Sequence, residues 1–364
     1  MPVSLAERLR DLIRREGAIT FREWMNAALY DPDGGYYQRS HRERWGRAGD
    51  YRTSPERSVL FAATFARYFA RLYEDLGRPD VWTIVEAGAG GGNFAAGVLD
   101  TFARQFPHVF AATRYVIFDV SKDAQRRTQE RVVEFGDHVR FCSDWDQISV
   151  EHGVVFSNEL LDAFPVHRVE QTDEGLRELY VTVNASGGFS WSNGPLSTPR
   201  LSEFCRAYSL QLARGQMIEI NLEIDDWFAQ VAPRVANGFV ITIDYGAEAV
   251  ALYDSSLRPH GTLRGFRRHD FVDDVLAAPG EYDITASVNW TQVKVVGGNL
   301  GLRVVEFASQ DKFLLNAGLL SELEYQLGLT GTEAAKASLT TGAREMILPG
   351  GMASSFQVLV QRRV

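Results

Sequence analysis

The sequence predicts an α/β fold built on a mostly parallel, seven-stranded sheet. From Trp82 onward, short apolar segments alternate with helical patterns, which is typical of a parallel sheet covered by helices on both faces. The first apolar segment runs into a glycine turn and then into a helix, in the stretch TIVEAGAGGGNFAAGVL at residues 83–99. In such folds, ligands bind beyond the carboxyl ends of the strands. We therefore expect the functional site at this turn.

Residues 1–78 are predicted to form an N-terminal helical region. Ser4, Glu7 and Gly17 have the identities and spacing of a capping box and a helix C-terminus, which predicts a first helix. Residues 21–29 form a second helical segment, and the turn YDPDGGYY follows it. Apolar spacing in VLFAATFARYFARLYEDLG then predicts a third helix.

Residues 79–364 are predicted to form the α/β domain. Its strand candidates are, in chain order, WTIVEAG, RYVIFDVS, HVRFCSD, GVVFSNELL and GFVITIDYG, and then the edge pair LRVVEFAS and SSFQVLVQRR, which we expect to be antiparallel. Two insertions are expected, near 168–215 and near 250–295. The first contains the strand-like segments LRELYVTVN and GFSWSN, and the second is rich in loops.

Composition excludes several classes of partner. The chain has 364 residues and a net charge of -9, from 38 basic and 47 acidic residues, so it lacks the broad basic footprint of a nucleic-acid-binding protein. No apolar run is long enough to span a bilayer, and we expect no membrane partner. Cys142 and Cys205 share no metal-type spacing, so we expect no metal and two buried thiols in a reducing compartment. We therefore expect a cytoplasmic protein, with a homodimer as one possible state.

The glycine turn has the spacing of a site for a cationic ligand. Glu86, Gly88, Gly90 and Gly92 give E-x-G-x-G-x-G, whereas the dinucleotide fingerprint needs a third glycine where Asn93 stands. An acidic residue inside the turn would repel a pyrophosphate. It favours a ligand with cationic groups, such as the sulfonium and ammonium of S-adenosyl-L-methionine. The alternative is that the glycines only tighten a strand-to-helix turn.

Acidic residues also follow the next two strands. Asp119 ends the second strand, where a carboxylate can accept both ribose hydroxyls. Asp144 and Trp145 follow the third strand, where they could bond the adenine amino group and stack on its ring. The alternative is that both acids are solvated caps.

Longer motifs flank the turn and make the pattern more specific. They are ITFREWMNAALYDPDGGYY with GRAGDYRTSPE, then VVFSNELLDAFPVHRV, then HGTLRGFRRH with YDITASVNWT. Together with the turn, they resemble the MidA family, which includes the mitochondrial complex I assembly-factor methyltransferases. The resemblance covers nearly the whole chain and implies a Rossmann-like class I methyltransferase fold with S-adenosyl-L-methionine as cofactor. It also implies transfer of the methyl group to a guanidino nitrogen of arginine, on an arginine-containing protein.

The resemblance assigns site residues by their positions in the matching motifs. Those implied for the cofactor are Glu86, Gly88, Ala89, Gly90, Gly92, Asp119, Asp144, Trp145, Asn158, Thr53 and Pro55. The last two belong to an expected lid loop that also contains Gly49, Asp50 and Ser54, and the alternative is an ordinary surface turn.

The implied catalytic residues are Glu159, Asp162 and Asn158, in the segment after the fourth strand. Two carboxylates arranged as a fork would hold a planar guanidinium bidentately and localise its charge away from the attacking nitrogen. Glu159 and Asp162 would form this fork, with Asn158 orienting the acceptor. The alternative for Asp162 is that it caps a helix that starts near Ala163.

Departures from the family pattern leave the acceptor open. They include Ala48, Phe266, Asn289 and Gln357, and they spare the cofactor turn. One rival is therefore a small-molecule N- or O-methyltransferase that acts on free arginine or a specialised metabolite. A second rival is a non-catalytic assembly factor that retains the fold.

Several polar residues outside the cofactor motifs have open roles. If the acceptor is a hydroxyl or carboxyl group, the candidate bases are His167, His260 and His269, although each is more readily explained as a structural or loop residue. Asp244 ends the fifth strand and could line the substrate entrance. The basic cluster Arg264, Arg267 and Arg268 could anchor an acidic partner or a substrate carboxylate, but it is more readily explained as a solvated loop.

Overall fold

The computed structural model describes residues 3–39, 58–267, 270–348 and 355–363. Residues of the sequence analysis that lie outside these ranges are Ala48, Gly49, Asp50, Thr53, Ser54, Pro55, Arg268 and His269. Both cysteines are inside the ranges and are free thiols, Cys142 buried and Cys205 half-buried. Burial raises the pKa of the Cys205 thiol to about 11.

The described residues of the N-terminal part include α1 (Leu5–Glu16), β1 (Ile19–Thr20), α2 (Phe21–Tyr30), a short 3-10 helix (Tyr36–Gln38) and α3 (Val59–Asp75). The predicted capping box of α1 is confirmed: the Glu7 amide donates to Ser4 Oγ, and the Glu7 carboxylate accepts from the Ser4 amide at 2.9 Å. Gly17 ends the helix at a φ of 93°, which favours glycine. Thr20 and Glu23 form the same type of box at the start of α2.

The first half of the α/β domain follows the predicted alternation. Its elements are β2 (Trp82–Ala87), α4 (Asn93–Gln105), α5 (Pro107–Ala112), β3 (Thr113–Phe118), α6 (Lys122–Val132), β4 (Val139–Cys142) and β5 (Val150–Asn158). Every residue of β2 is buried, as expected for the centre of a parallel sheet.

The first insertion forms a separate antiparallel sheet. Its elements, with the helix that returns to the large sheet, are β6 (His167–Thr172), β7 (Gly175–Val183), β8 (Phe189–Gly194), α7 (Arg200–Ala207), β9 (Met217–Ile220) and α8 (Glu223–Val231). The strand order is β1-β7-β6-β9, and β8 pairs with β7. Apolar residues of α1 and α2 pack on this sheet, including Leu9, Phe21 and Trp24.

The remainder of the chain completes the large sheet. Its elements are β10 (Val235–Ala247), α9 (Ala249–Leu252), β11 (Arg264–Arg267), β12 (Asp270–Phe271), β13 (Asp283–Thr285), β14 (Val288–Asn289), α10 (Trp290–Asn299), β15 (Leu302–Ser309), α11 (Gln310–Ala317), α12 (Leu319–Leu329), α13 (Glu333–Ile347) and β16 (Phe356–Arg363). Strands β12, β11 and β13 form a small third sheet, in that order.

The large sheet confirms the predicted architecture. Its order is β15-β16-β10-β5-β2-β3-β4, and β16 is antiparallel to both of its neighbours, as expected for the edge pair. The pairs β10–β5, β5–β2, β2–β3 and β3–β4 are all parallel. The two-residue β14 adds an eighth strand beside the end of β10. The strand order reverses at β2, which places a crevice at its carboxyl end.

Helices cover both faces of the large sheet. On one face, an aromatic core joins α3 and α4 to the sheet, with Phe94 stacked on Phe156 at 4.2 Å and Phe65 beside both rings. On the other face, α8 and α10 pack with Trp227 and Trp290. The described part of residues 1–78 therefore packs on both sheets, α1 and α2 on the smaller one and α3 on the larger. None of the described helices combines the length and the apolar character needed to cross a bilayer.

Candidate active site

A cavity of about 690 Å³ lies at the carboxyl ends of β2, β3 and β5. Nine of the residues predicted for the site line it, and they are Glu86, Gly88, Ala89, Gly90, Asp119, Asp144, Trp145, Asn158 and Glu159. Gly92 and Asp162 do not line it. The parallel strands β2, β3 and β5 thus bring together residues that are far apart in the sequence.

The glycine turn needs its glycines for two different reasons. Gly88, Gly90 and Gly92 have φ angles of 76°, 55° and 75°, in the left-handed region that other residues rarely adopt. A Cβ at Gly92 would lie 2.9 Å from the Cα of Thr128 on α6, so Gly92 allows close helix packing. Gly88 and Gly90 line the cavity and leave room for a ligand beside the backbone.

Glu86 is almost completely buried at the end of β2 and accepts a hydrogen bond of 2.6 Å from the Tyr115 hydroxyl. Burial raises the pKa of Glu86 to about 8, the charge of Asp119 adds to this rise, and the Tyr115 hydrogen bond opposes it. Most Glu86 side chains are therefore protonated near neutral pH. A bound cation would favour the ionised form, so the charge at this position depends on the ligand.

The two predicted adenosine-binding regions flank the turn. Asp119 accepts from the amide of Ser121 at 2.8 Å, and the Gly90 amide approaches its other oxygen at 3.4 Å. Asp144 accepts from the Asp146 amide at 2.9 Å and caps a short helix. The Trp145 ring stacks on Phe118 at 4.3 Å. Asp144 therefore caps a short helix and also lines the cavity, whereas Asp119 is buried, lines the cavity and leaves the cap of α6 to Ser121.

Asn158 and Glu159 present polar atoms at the end of β5. The Asn158 amide nitrogen donates to Glu159 Oε1 at 3.0 Å, while Asn158 Oδ1 is buried and finds no hydrogen-bond partner among the described residues. Glu159 has a φ of 53°, a strained conformation for a non-glycine residue that is common at functional sites. An orphaned carbonyl oxygen beside a carboxylate suits a ligand that donates hydrogen bonds, such as an ammonium or a guanidinium.

The expected fork of Glu159 and Asp162 is not formed, because Glu159 lines the cavity and Asp162 does not. Asp162 is 5% exposed, and the chain turns its side chain beneath the loop, near Asp244. It does not cap a helix either, because the short helix at Leu161–Ala163 begins after Leu160 and has no side-chain cap. Burial raises the pKa of Asp162 to about 6, against the opposing influence of its hydrogen-bonding neighbours.

The remaining candidates also lie away from the cavity lining. His167 is buried in the smaller sheet, where its Nδ1 lies 2.7 Å from Glu178 Oε1. His260 and Asp244 do not line the cavity. The Arg264 guanidinium lies 5.6 Å from the ring centre of Tyr245, so this member of the basic cluster packs against the protein.

The N-terminal segment contributes a wall of the cavity that was not predicted. Its residues are Asn26, Tyr30, Tyr37 and Gln38. Tyr30 and Tyr37 stack at 5.4 Å, and their hydroxyls donate to Ala163 O at 3.0 Å and to Asp283 Oδ1 at 2.7 Å. Both tyrosines belong to the quoted motif ITFREWMNAALYDPDGGYY, so a signal was present. The motif was interpreted only as a helix followed by a turn, so the two tyrosines were not predicted to belong to the site.

The charge of the cavity has one sign. Six acidic side chains line it, and no lysine, arginine or histidine occurs among the described lining residues. The acidic residues are Glu86, Asp119, Asp144, Glu159, Glu223 and Asp226, and Glu86 carries a negative charge only when it is ionised. Arg22 pairs with Glu223, and Arg200 pairs with Asp226 at 3.2 Å, so protein cations partly neutralise the two that come from α8. Such a lining fits the ammonium and sulfonium of S-adenosyl-L-methionine and is unsuited to a pyrophosphate.

Similar proteins include eukaryotic enzymes. The chain is 27% identical to the mouse protein arginine methyltransferase NDUFAF7, over 94% of this chain and 81% of the relative. It is also 27% identical to the Drosophila melanogaster homologue, over 82% and 71% of the two chains. These relatives are named as mitochondrial proteins, so the expectation of a cytoplasmic location is wrong.

A solved structure from Burkholderia thailandensis shows the same fold. It superposes with a TM-score of 0.87 at 28% identity, covering 99% of this chain and 92% of that one, and it contains S-adenosyl-homocysteine. A second structure from the same organism gives a TM-score of 0.84 at 29% identity. The bound product form in the first structure supports S-adenosyl-L-methionine as the cofactor, in agreement with the charge of the cavity.

The family comparison covers most of the α/β domain. A family model described as S-adenosyl-L-methionine-dependent methyltransferase matches residues 64–308, which contain the glycine turn, the segment after β5 and strands β6 to β9 of the smaller sheet. The chain therefore belongs to this MidA-like family and is an S-adenosyl-L-methionine-dependent methyltransferase.

Proposed function

We propose that this methyltransferase transfers a methyl group to a guanidino nitrogen of an arginine residue in a protein. The observation that carries the proposal is the acidic lining of the cavity. Six acidic side chains line it, and none of the described lining residues is basic. A lining of this kind attracts a cationic acceptor as well as a cationic cofactor. The names of the relatives, which are protein arginine methyltransferases, support the same acceptor.

The proposed cofactor site consists of residues that the sequence analysis predicted for it. The residues that would hold the cofactor are Glu86, Gly88, Ala89, Gly90, Asp119, Asp144, Trp145 and Asn158. Glu86 would face a cationic group, Asp119 would accept from the ribose hydroxyls, and Asp144 with Trp145 would contact the adenine. When bound, the cofactor supplies an activated methyl group on a positively charged sulfur.

The proposed acceptor site lies at the end of β5 and under the tyrosine wall. Glu159 would accept hydrogen bonds from the acceptor guanidinium and fix the direction of its attacking nitrogen. Asn158 Oδ1, which is buried and lacks a partner among the described residues, can accept a further N–H. The stacked rings of Tyr30 and Tyr37 provide an apolar, electron-rich surface for a planar cation.

The departures that motivated a small-molecule acceptor give no support to that alternative. Phe266, Asn289 and Gln357 do not line the cavity. Asn289 instead caps α10 by accepting from the Gln292 amide at 3.2 Å. We therefore retain the protein acceptor. The homodimer stays a prediction, which size-exclusion chromatography with light scattering would test.

A labelling experiment tests the acceptor. Purified protein is incubated with methyl-labelled S-adenosyl-L-methionine and three probes, namely a pool of arginine-containing peptides, free arginine and a metabolite extract. The matched control is the same peptide pool with lysine in place of arginine. We expect label on the arginine peptides only, as methylarginine after hydrolysis. Label confined to free arginine or to metabolites would overturn the protein acceptor.

A further inference from the structure

The loop that follows β5 is held by hydrogen bonds to the end of β10. The Glu159 amide donates to Ile243 O at 2.9 Å. The amides of Leu161 and Asp162 both donate to Asp244 Oδ2, at 2.9 and 3.3 Å. One carboxylate oxygen thus receives two consecutive backbone N–H groups of the loop, and the neighbouring carbonyl receives the third.

The carbonyls of the same loop are held by neutral donors. Asn221 Nδ2 donates to Leu161 O at 3.0 Å, and the Ala286 amide donates to Asp162 O at 2.9 Å. Asp244 is therefore an ionisable side chain that accepts two backbone hydrogen bonds of this loop.

The strain at Glu159 explains why such anchoring matters. Its φ of 53° belongs to a region that a glutamate adopts only when its surroundings enforce it. The enforcing contacts lie on either side, since Ile243 O holds its own amide and Asp244 holds the amides of Leu161 and Asp162. Without the Asp244 bonds, the amides on the C-terminal side of Glu159 lose their acceptor, and only the bonds to the carbonyls of Leu161 and Asp162 remain there.

We propose that Asp244 is a positioning residue of the methyl-transfer reaction, which fixes the direction of the Glu159 carboxylate by anchoring the loop after β5. Asp244 is fully buried and does not line the cavity, so it acts through Glu159. The inference rests on the proposed function in that Glu159 is taken to contact the acceptor. It replaces the expectation that Asp244 itself lines the substrate entrance.

The substitution Asp244→Asn changes the hydrogen bonds of the side chain while it keeps the size of the side chain. Both carboxylate oxygens accept in the structure, Oδ2 from the loop and Oδ1 from the Tyr245 amide at 2.9 Å. An amide of the same size must place its NH₂ group against one set of these donors. The control is Glu322→Gln on α12, since Glu322 is equally buried and its carboxylate also accepts several hydrogen bonds, from Gln105, Gln326 and Arg67, so this variant shows the effect of replacing a buried, hydrogen-bonded carboxylate away from the loop.

A double-mutant cycle tests the coupling. The turnover of Glu159→Gln, Asp244→Asn and the double variant is measured with labelled S-adenosyl-L-methionine and the pool of arginine-containing peptides. We expect Asp244→Asn to lower kcat by about ten- to a hundredfold, the cost of a misplaced group, with an unchanged Kd for the cofactor. In the Glu159→Gln background, Asp244→Asn should change kcat by less than about twofold. Independent, multiplicative losses would overturn the positioning role.

Hydrogen–deuterium exchange provides a readout that needs no acceptor. Faster exchange of the Leu161 and Asp162 amides is expected in Asp244→Asn and not in Glu322→Gln, and unchanged exchange in both would overturn the anchor. If Asp244→Asn does not fold, Asn221→Ala removes a neutral bond to the same loop and should show smaller effects of the same kind. A peptide pool that stays unmethylated by the unsubstituted protein contradicts the proposed function alone, because the exchange measurement still decides the role of Asp244.

Discussion

The Tyr115 hydroxyl donates to Glu86 at 2.6 Å, inside the sheet and directly behind the glycine turn. The adjacent parallel strands β2 and β3 bring the two side chains together. Glu86 on β2 is the register partner of Ile117 on β3, and Tyr115 lies on β3 just before Ile117. The bond stabilises the ionised carboxylate against the cost of burial. Tyr115 thereby lowers the pKa of Glu86 at the base of the cavity.

Cofactor affinity should rise with pH. The pKa of Glu86 in the free protein is about 8, so the group is mainly protonated below this value, and a cationic ligand that favours the ionised form must release its proton. We expect the affinity for S-adenosyl-L-methionine to increase from about pH 6 to about pH 8, by at most about tenfold per pH unit, and then to level off. Calorimetric titration across this range measures the slope.

Adenosine is the matched control for this slope, because it lacks both cationic groups and should bind with little dependence on the state of Glu86. In Tyr115→Phe, the hydrogen bond that lowers the pKa is lost, so the rise in affinity should move to higher pH. A flat affinity profile for S-adenosyl-L-methionine in the unsubstituted protein would contradict the proposed contact with Glu86.

Gly90→Val should abolish cofactor binding in a folded protein. Gly90 lines the cavity at a φ of 55°, so a branched side chain would fill ligand space and also strain the backbone by about 1–2 kcal/mol. Gly187→Val is the matched control, because Gly187 has a φ of 83° and open space around its Cβ. Both variants should lose similar stability in urea unfolding. Normal cofactor affinity in Gly90→Val would remove the turn from the site.

Glu159→Gln should reduce turnover without weakening cofactor binding. A hydrogen bond to a charged group is worth about 1.5–3 kcal/mol, so kcat with the arginine peptide pool should fall by about ten- to a hundredfold. Steady-state kinetics and calorimetry measure the two quantities separately. Glu130→Gln, an exposed acid on α6, is the control and should leave both unchanged. Equal losses in turnover and cofactor affinity would mean that Glu159 is not an acceptor residue.

Tyr37→Leu should raise the KM for the arginine peptides. Loss of the ring removes a stacking surface for the guanidinium worth about 0.5–2 kcal/mol, which corresponds to a rise of about two- to thirtyfold. Tyr37→Phe keeps the ring and loses the bond to Asp283, so it should have the smaller effect. Tyr325→Leu changes an exposed tyrosine on α12 and serves as the control. A larger effect in Tyr37→Phe would show that the hydroxyl matters more than the ring.

Local sequence patterns were enough for most of the fold. The strand candidates lie where the structure has strands, because alternating or continuous apolar runs record burial directly. Two of them, RYVIFDVS and GVVFSNELL, extend three residues beyond the observed ends of β3 and β5. Capping residues such as Ser4 and Glu7 act within one helical turn, so their geometry needs no tertiary information. Asp162 shows the limit, because its neighbours in sequence line the cavity while its own carboxylate turns towards β10.

The sequence by itself determined the α/β class, the glycine turn and the carboxylates at the strand ends, since each depends on residues within a few positions of one another. Only the tertiary structure decided which of these side chains share a cavity. That choice depends on the strand order around β2, and on an N-terminal segment that brings Tyr30 and Tyr37 to the acceptor side. Contacts between distant segments leave no periodic signal in either partner, so the tyrosine wall and the Asp244 anchor became visible only once the chain was folded.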